Sequence, residues 1–121
     1  MEGKKKRDLC ERTFQFALRI VNLCQELSKK PGVGQTMAKQ LLRSGTSIGA
    51  NVEEGQAGQS RADFVSKYSI ACKEARETHY WLRLLDESRI ASSPEIESLL
   101  TECNELIAIL TAIIKKTKQN A

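Results

Sequence analysis

The segment from residue 43 to residue 55, Arg-Ser-Gly-Thr-Ser-Ile-Gly-Ala-Asn-Val-Glu-Glu-Gly, most constrains how this chain can fold. Residues spaced by four, three and four positions predict one face of a helix: Leu41, Gly45, Ile48 and Val52. A glycine inside a helix costs about 1 kcal/mol relative to alanine, so Gly45 and Gly49 need a structural reason. We expect that reason to be close packing, because a residue without a side chain lets a neighbouring helix approach.

Helical periodicity continues in three further segments, which are separated by residues that break helices, such as Pro31 and Gly32. The predicted helices cover residues 8 to 30, 35 to 55, 61 to 90 and 94 to 117, within a few residues at each end. Short connections between them predict an all-α, antiparallel, up-down-up-down four-helix bundle. We therefore assign residues 1–7 to a flexible basic lead, residues 8–117 to the bundle and residues 118–121 to a tail.

The hairpin between helices two and three predicts which residues face each other. A turn near residue 58 places Gly45 opposite Ala71 and Leu41 opposite Ala75. Small residues on both sides predict the closest helix approach at this point. The predicted close contact consists of Gly45, Gly49, Ala71 and Ala75.

Polar residues of helix two form a second stripe. The same register brings Arg43 close to Glu74 and Glu77 on helix three. Two interpretations stay open: a partly buried hydrogen-bond network that fixes the register, or a polar surface that contacts a ligand. The stripe and its predicted neighbour are Arg43, Ser47, Asn51, Glu54 and Glu74.

Residue types that carry catalysis or bind metals are sparse. The four cysteines include no CxxC pair, and His79 is the one histidine, without the Glu-x-x-His spacing of a di-iron bundle. We therefore predict no catalytic residues, no cofactor and no metal site. Reduced cysteines at apolar positions favour a cytoplasmic location, and no apolar run is long enough to span a bilayer. Tyr80 and Trp81 flank the apolar face of helix three, where packing is favoured over base stacking.

Positive charge is concentrated at the two ends of the chain, whose net charge is +4. In an up-down-up-down bundle these ends lie at one pole, together with the turn between helices two and three. A phosphate-binding surface and two solvated tails are both compatible with this pattern. The candidate nucleic-acid-binding residues are Lys4, Lys5, Lys6, Arg7, Arg61, Lys115, Lys116 and Lys118.

Two segments, residues 40–55 and residues 73–85, resemble hallmarks of the four-helix-bundle proteins encoded by 23S ribosomal RNA intervening sequences. The second segment reads Lys-Glu-Ala-Arg-Glu-Thr-His-Tyr-Trp-Leu-Arg-Leu-Leu. The resemblance implies a left-handed bundle and a homopentamer. It also implies kinship with accessory variability proteins of retroelements, which bind a reverse transcriptase and nucleic acid. No settled activity comes with it.

The sequence thus favours a non-enzymatic, oligomeric bundle that binds RNA or a ribonucleoprotein through its basic pole. The alternative is a protein–protein interaction scaffold without a nucleic-acid role. An enzyme is the least favoured, because general acid–base residues do not cluster.

Overall fold

The computed structural model describes the backbone of residues 2–120 and the side chains of residues 8–120. Within this range the chain forms four helices and no strand, which confirms the all-α four-helix bundle. The helices are α1 (Glu2–Leu27), α2 (Val33–Gln56), α3 (Arg61–Glu87) and α4 (Pro94–Gln119). Helix α1 begins earlier than predicted, at Glu2 rather than near residue 8. The flexible lead over residues 1–7 stays a prediction, because their side chains lie outside the described ones.

Helices α3 and α4 begin where their capping serines predict. Ser60 Oγ accepts a hydrogen bond of 3.1 Å from the backbone N–H of Asp63 at the start of α3. Ser93 Oγ accepts one of 3.3 Å from the N–H of Ile96, and Pro94 occupies the first turn of α4. Each cap satisfies a backbone donor that has no partner inside the helix.

Each helix packs against two others, in the cyclic order α1, α2, α3, α4, and the α1–α4 contact is the least extensive. Residue pairs across three of these contacts run in opposite chain order, as antiparallel neighbours require. The pairs are Arg12–Glu102 and Arg19–Glu95 between α1 and α4, Ser44–Thr78 and Glu54–Lys67 between α2 and α3, and Cys72–Thr111 and Ala75–Cys103 between α3 and α4. The left-handed sense of the bundle stays a prediction.

Two cysteines belong to the core. Cys24 Sγ lies 3.3 Å from the carbonyl oxygen of Ala38, and Cys103 Sγ lies 3.1 Å from that of Ala75. Burial raises the pKa of Cys24 to about 11 and that of Cys103 to about 12. Both thiols are therefore protonated at neutral pH and act as small apolar groups, as predicted.

Gly45 and Gly49 of α2 lie at a close helix contact, but the neighbouring helix is α1 and not α3. A Cβ atom added to Gly45 would lie 2.8 Å from Ile20 Cγ2, and one added to Gly49 would lie 3.1 Å from Thr13 Oγ1. The prediction that Gly45 faces Ala71 is therefore wrong. The prediction considered only the α2–α3 hairpin, whereas a bundle helix has two neighbours, one on each flank. Ala71 and Ala75 are fully buried on α3.

Replacing Gly45 with alanine tests the α1–α2 contact. Ile20 is fully buried and β-branched, so its γ carbons have little freedom to move away from the new methyl group. We expect Gly45→Ala to lower the free energy of unfolding by about 1–3 kcal/mol, despite the better helix propensity of alanine. Urea unfolding followed by circular dichroism measures the change.

A double-mutant cycle identifies the contacting side chain. In an Ile20→Ala background the γ carbons are absent, so Gly45→Ala should cost clearly less than it does in the wild type. Additive costs for the two substitutions, or a Gly45→Ala variant that is more stable than the wild type, would contradict this contact.

The connection between α3 and α4 contains a strained residue. Arg89 has a φ of 63°, in the left-handed region, and the N–H of Ala91 donates to the carbonyl of Leu85 at 3.2 Å. Glycine usually occupies such a position after a helix because it has no Cβ. We expect Arg89→Gly to raise the free energy of unfolding by about 1 kcal/mol. Arg89→Ala retains the Cβ and is the control. Equal stability of the two variants would show that no strain is present.

Candidate nucleic-acid interface

A shallow groove runs between the outer flanks of α3 and α4 and has a volume of about 600 Å³. Lys73 and Arg76 contribute from α3, and Lys115 and Lys118 contribute from α4. Each pair is spaced by three residues, so both members lie on the same side of their helix. The complete lining is Ser69, Cys72, Lys73, Arg76, Thr111, Ile114, Lys115 and Lys118.

The floor of the groove is formed by small and apolar side chains. Cys72 Sγ lies 3.5 Å from Thr111 Oγ1, and Ile114 continues this floor towards the end of α4. The side chains of α3 and α4 meet here because Cys72 and Thr111 face each other in the antiparallel pair. The cations on both rims therefore surround a strip that carries no charge.

Three of the four groove cations have no carboxylate partner in the part of the chain that the structure describes, whereas Lys73 interacts with the carboxylate of Glu77. Among the described residues, Arg76, Lys115 and Lys118 form no ion pair, and the lining contains no carboxylate. Arginines elsewhere on the bundle do have carboxylate partners, as Arg12 does with Glu102 and Arg19 with Glu95. The groove is thus a local concentration of positive charge that can attract an anion.

Two other predicted cations line a different cleft. Arg61 and Lys116 lie in a cleft of about 520 Å³, where the α2–α3 turn meets the end of α4. Arg61 Nη1 donates a hydrogen bond of 2.7 Å to the carbonyl oxygen of Asn120, which joins the start of α3 to the end of α4. These residues lie at the end of the bundle where Lys115 and Lys118 also lie, but on another face.

The predicted cations that the structure describes lie at one end of the bundle, but they line two clefts and not one. Lys115 and Lys116 are adjacent in a helix, so their side chains point about 100° apart and cannot line the same groove. Lys115 and Lys118 share the α3–α4 groove, and Lys116 lies with Arg61. The side chains of Lys4, Lys5, Lys6 and Arg7 lie outside the described ones.

Lys73 and Arg76 are absent from the sequence prediction. The prediction counted charge at the chain ends and in the turn, whereas these residues lie in the middle of a helix. Their spacing of three residues on the polar flank of α3 was the available signal. The antiparallel packing of α3 and α4 then brings them beside the last turns of α4.

The predicted polar stripe of α2 does not form one network. Ser47 Oγ donates to the backbone carbonyl of Arg43 at 2.6 Å, and Asn51 Nδ2 donates to that of Ser47 at 2.9 Å. Both side chains are thus bonded within their own helix, as short polar side chains often are. Glu54 forms a separate ion pair of 3.0 Å with Lys67.

Two polar contacts join α2 to α3 and are consistent with one alignment of the two helices. Arg43 contacts Glu74 at 3.2 Å and also contacts Glu77, as predicted. The buried contact is a different one: Ser44 Oγ and Thr78 Oγ1 lie 2.9 Å apart, and both residues are fully buried. The prediction omitted this hydroxyl pair, although both residues occupy core-facing positions of their helices.

Aromatic side chains lie on α3 beyond the groove. Trp81 Nε1 donates a hydrogen bond of 3.1 Å to Glu77, and the ring of Tyr80 meets that of Trp81 edge to face, with centroids 5.5 Å apart. Trp81 is half-buried, whereas Tyr80 is 56% exposed. Tyr80 is therefore not a core residue.

The described side chains contain no cluster of three or more histidine, cysteine, aspartate or glutamate residues suited to a metal ion. Burial lowers the pKa of His79, which is half-buried on α3. None of the four helices, over their described residues, is long and apolar enough to cross a membrane.

Comparison with known proteins places the chain in a family. A model of the 23S rRNA-intervening sequence proteins matches residues 5–112. The chain belongs to this family. A crystal structure from Bacteroides thetaiotaomicron VPI-5482 superimposes on this family member with a TM-score of 0.83 at 44% sequence identity. The match covers 92% of this chain and 98% of that one, which is described as a protein of unknown function from the S23 ribosomal protein family. No curated protein matches the chain.

Trp81 is the single tryptophan of this family member, so its fluorescence can report the ionisation of Glu77, to which its indole is hydrogen-bonded. A hydrogen bond from Trp81, the larger effect, and one from Arg43 lower the pKa of Glu77. A lowered pKa in the folded state stabilises the fold above the ordinary glutamate value of about 4.3, and this contribution is lost as the pH falls through the lowered pKa. We expect Trp81 emission to titrate with a midpoint below about 4.3.

Arg43→Gln removes one of the two stabilising groups and should move that midpoint upwards. The variant should also lose more stability at neutral pH than in acid. An unchanged midpoint would contradict the interaction between Arg43 and Glu77.

Proposed function

We propose that this protein is a non-enzymatic, oligomeric RNA-binding protein that holds phosphate groups in the groove between α3 and α4. The supporting observation is the set of four cations, Lys73, Arg76, Lys115 and Lys118, around a lining without carboxylates. The ligand class is RNA or a ribonucleoprotein. Arg61 and Lys116 extend the basic surface around the same end of the bundle.

The physical basis of binding is electrostatic. Each cation that neutralises a phosphate releases a condensed counterion, so affinity falls as the salt concentration rises. Arg76 adds a planar donor group that fits two phosphate oxygens, whereas each lysine acts as a point charge. An arrangement of this kind positions a nucleic-acid backbone and does not by itself read sequence.

Oligomerisation is supported by apolar side chains that lie exposed on the α1–α2 face. Phe14 is 50% exposed and Leu18 is 43% exposed on successive turns of α1, and Leu42 is 40% exposed on α2. In the homopentamer implied by the resemblance, the groove would repeat five times around the ring. Repetition raises the avidity for a long polyanion, since additional contacts become intramolecular. We place this assembly in the cytoplasm.

A protein–protein interaction scaffold is the second candidate function. It is favoured by the same exposed apolar residues, Phe14, Leu18 and Leu42, because such a patch can bind another protein. In that case binding would resist salt, and the groove cations would be irrelevant.

The salt dependence of RNA binding tests the proposed function. We expect the wild-type protein to bind a labelled oligouridine RNA at about 50 mM salt and to lose affinity steeply by about 200 mM. Lys73→Gln combined with Lys115→Gln should weaken binding and lower the slope of log affinity against log salt by roughly 1.4. Fluorescence anisotropy measures both quantities.

Lys30→Gln combined with Lys39→Gln makes the same change in net charge away from the groove and is the matched control. We expect this control to leave the slope nearly unchanged. Equal losses in the two double variants would show that net charge, and not the groove, determines binding. A wild-type protein that does not bind RNA at low salt would contradict the proposed function.

A further inference from the structure

We propose that Tyr80 stacks on an unpaired base of a single-stranded nucleic acid whose phosphates lie in the α3–α4 groove. This inference rests on the proposed function and specifies its ligand. The observation behind it is a solvent-exposed aromatic ring on the same helix flank as the groove cations Lys73 and Arg76.

Helix geometry places Tyr80 directly beyond the groove. Tyr80 follows Arg76 by four residues, which moves it about 6 Å along the helix axis and about 40° around it. It therefore lies one turn past the last groove cation of α3 and faces nearly the same direction. A nucleic-acid strand whose phosphate contacts Arg76 and which continues along α3 would therefore meet the Tyr80 ring.

The environment of the ring leaves room for a base. Tyr80 is 56% exposed, and the aromatic contact it makes is an edge-to-face one with Trp81, with an interplanar angle of 75°. The carboxylate of Glu77, three residues before Tyr80 on α3, is already bonded to Arg43 and to the Trp81 indole. Its charge is thus partly compensated, which reduces repulsion of a phosphate.

The combination of cations with an exposed aromatic ring selects single strands over duplexes. In a duplex each base is already stacked on its neighbours, and its faces are not accessible to a side chain on a helix surface. In a single strand the bases are free to stack on tyrosine while the cations hold the backbone. The groove alone would accept both forms, because phosphates occur in both.

Substitution of Tyr80 separates stacking from phosphate binding. We expect Tyr80→Ala to weaken binding of a short oligouridine RNA by about 5- to 150-fold while the slope of log affinity against log salt stays at the wild-type value. Tyr80→Phe keeps the ring and should bind like the wild type. A pre-annealed duplex should bind the wild type and Tyr80→Ala equally.

The intrinsic fluorescence of Trp81 can detect base stacking on Tyr80 without an added label. Trp81 is the only tryptophan and its ring contacts Tyr80, so a base that stacks on Tyr80 should change its emission. The emission change should saturate with single-stranded RNA and be absent in Tyr80→Ala. Val33→Ala, which truncates an exposed side chain at the start of α2, controls for loss of surface apolar area.

The outcomes distinguish this inference from the proposed function. If Tyr80→Ala binds single-stranded RNA like the wild type while Lys73→Gln with Lys115→Gln weakens binding, stacking is overturned and phosphate binding stands. If Tyr80→Phe loses as much affinity as Tyr80→Ala, the hydroxyl and not the ring is responsible, and stacking is again overturned. If the wild type binds no RNA at low salt, both proposals fail.

Discussion

The packing of α1 against the glycine-containing face of α2 is the constraint on which the bundle depends. Gly45 lies against Ile20, and Gly49 lies against Thr13, at distances where a Cβ atom would meet these side chains at 2.8 Å and 3.1 Å. Two helices approach this closely only if one of them lacks side chains at the contact. The helix propensity lost at Gly45 and Gly49 is compensated by the burial of Ile20 and the residues around it.

With one flank of α2 packed on α1, its other flank contacts α3 through polar and small residues. Ser44 and Thr78 place hydroxyl groups 2.9 Å apart in the core, and Arg43 joins Glu74 and Glu77 at the surface. These bonds leave no buried side-chain nitrogen or oxygen without a partner among the described residues. On the flank of α3 beside the α3–α4 groove, Lys73, Arg76 and Tyr80 are exposed. The residues of the candidate interface thus lie outside the α2–α3 contact.

The sequence predicted the helices well because their signals are local. Serine caps at Ser60 and Ser93 and the helix breakers Pro31 and Gly32 specify ends of the helices within a few residues. The contact of Arg43 with Glu74 and Glu77 followed from hairpin register alone. The family resemblance rested on residues 40–55 and 73–85, and the family match over residues 5–112 confirms it.

Other features could not be predicted, because they depend on the rotation of each helix within the bundle. Periodicity shows that Gly45 faces the core but not which of two neighbours it meets there. Likewise, Lys115 and Lys116 are adjacent in sequence but line different clefts, since one residue turns a helix by about 100°. The groove combines two spaced pairs of cations from helices that are separated in sequence. It becomes visible only when α3 and α4 are packed together.

Nuclear Overhauser spectroscopy of the folded protein tests the α1–α2 contact most directly. The structure predicts strong cross-peaks between the Gly45 α protons and the γ methyl group of Ile20, because a Cβ at Gly45 would lie within 3 Å of Ile20 Cγ2. Cross-peaks from Gly45 to the methyl group of Ala71, with none to any side chain of α1, would contradict the account.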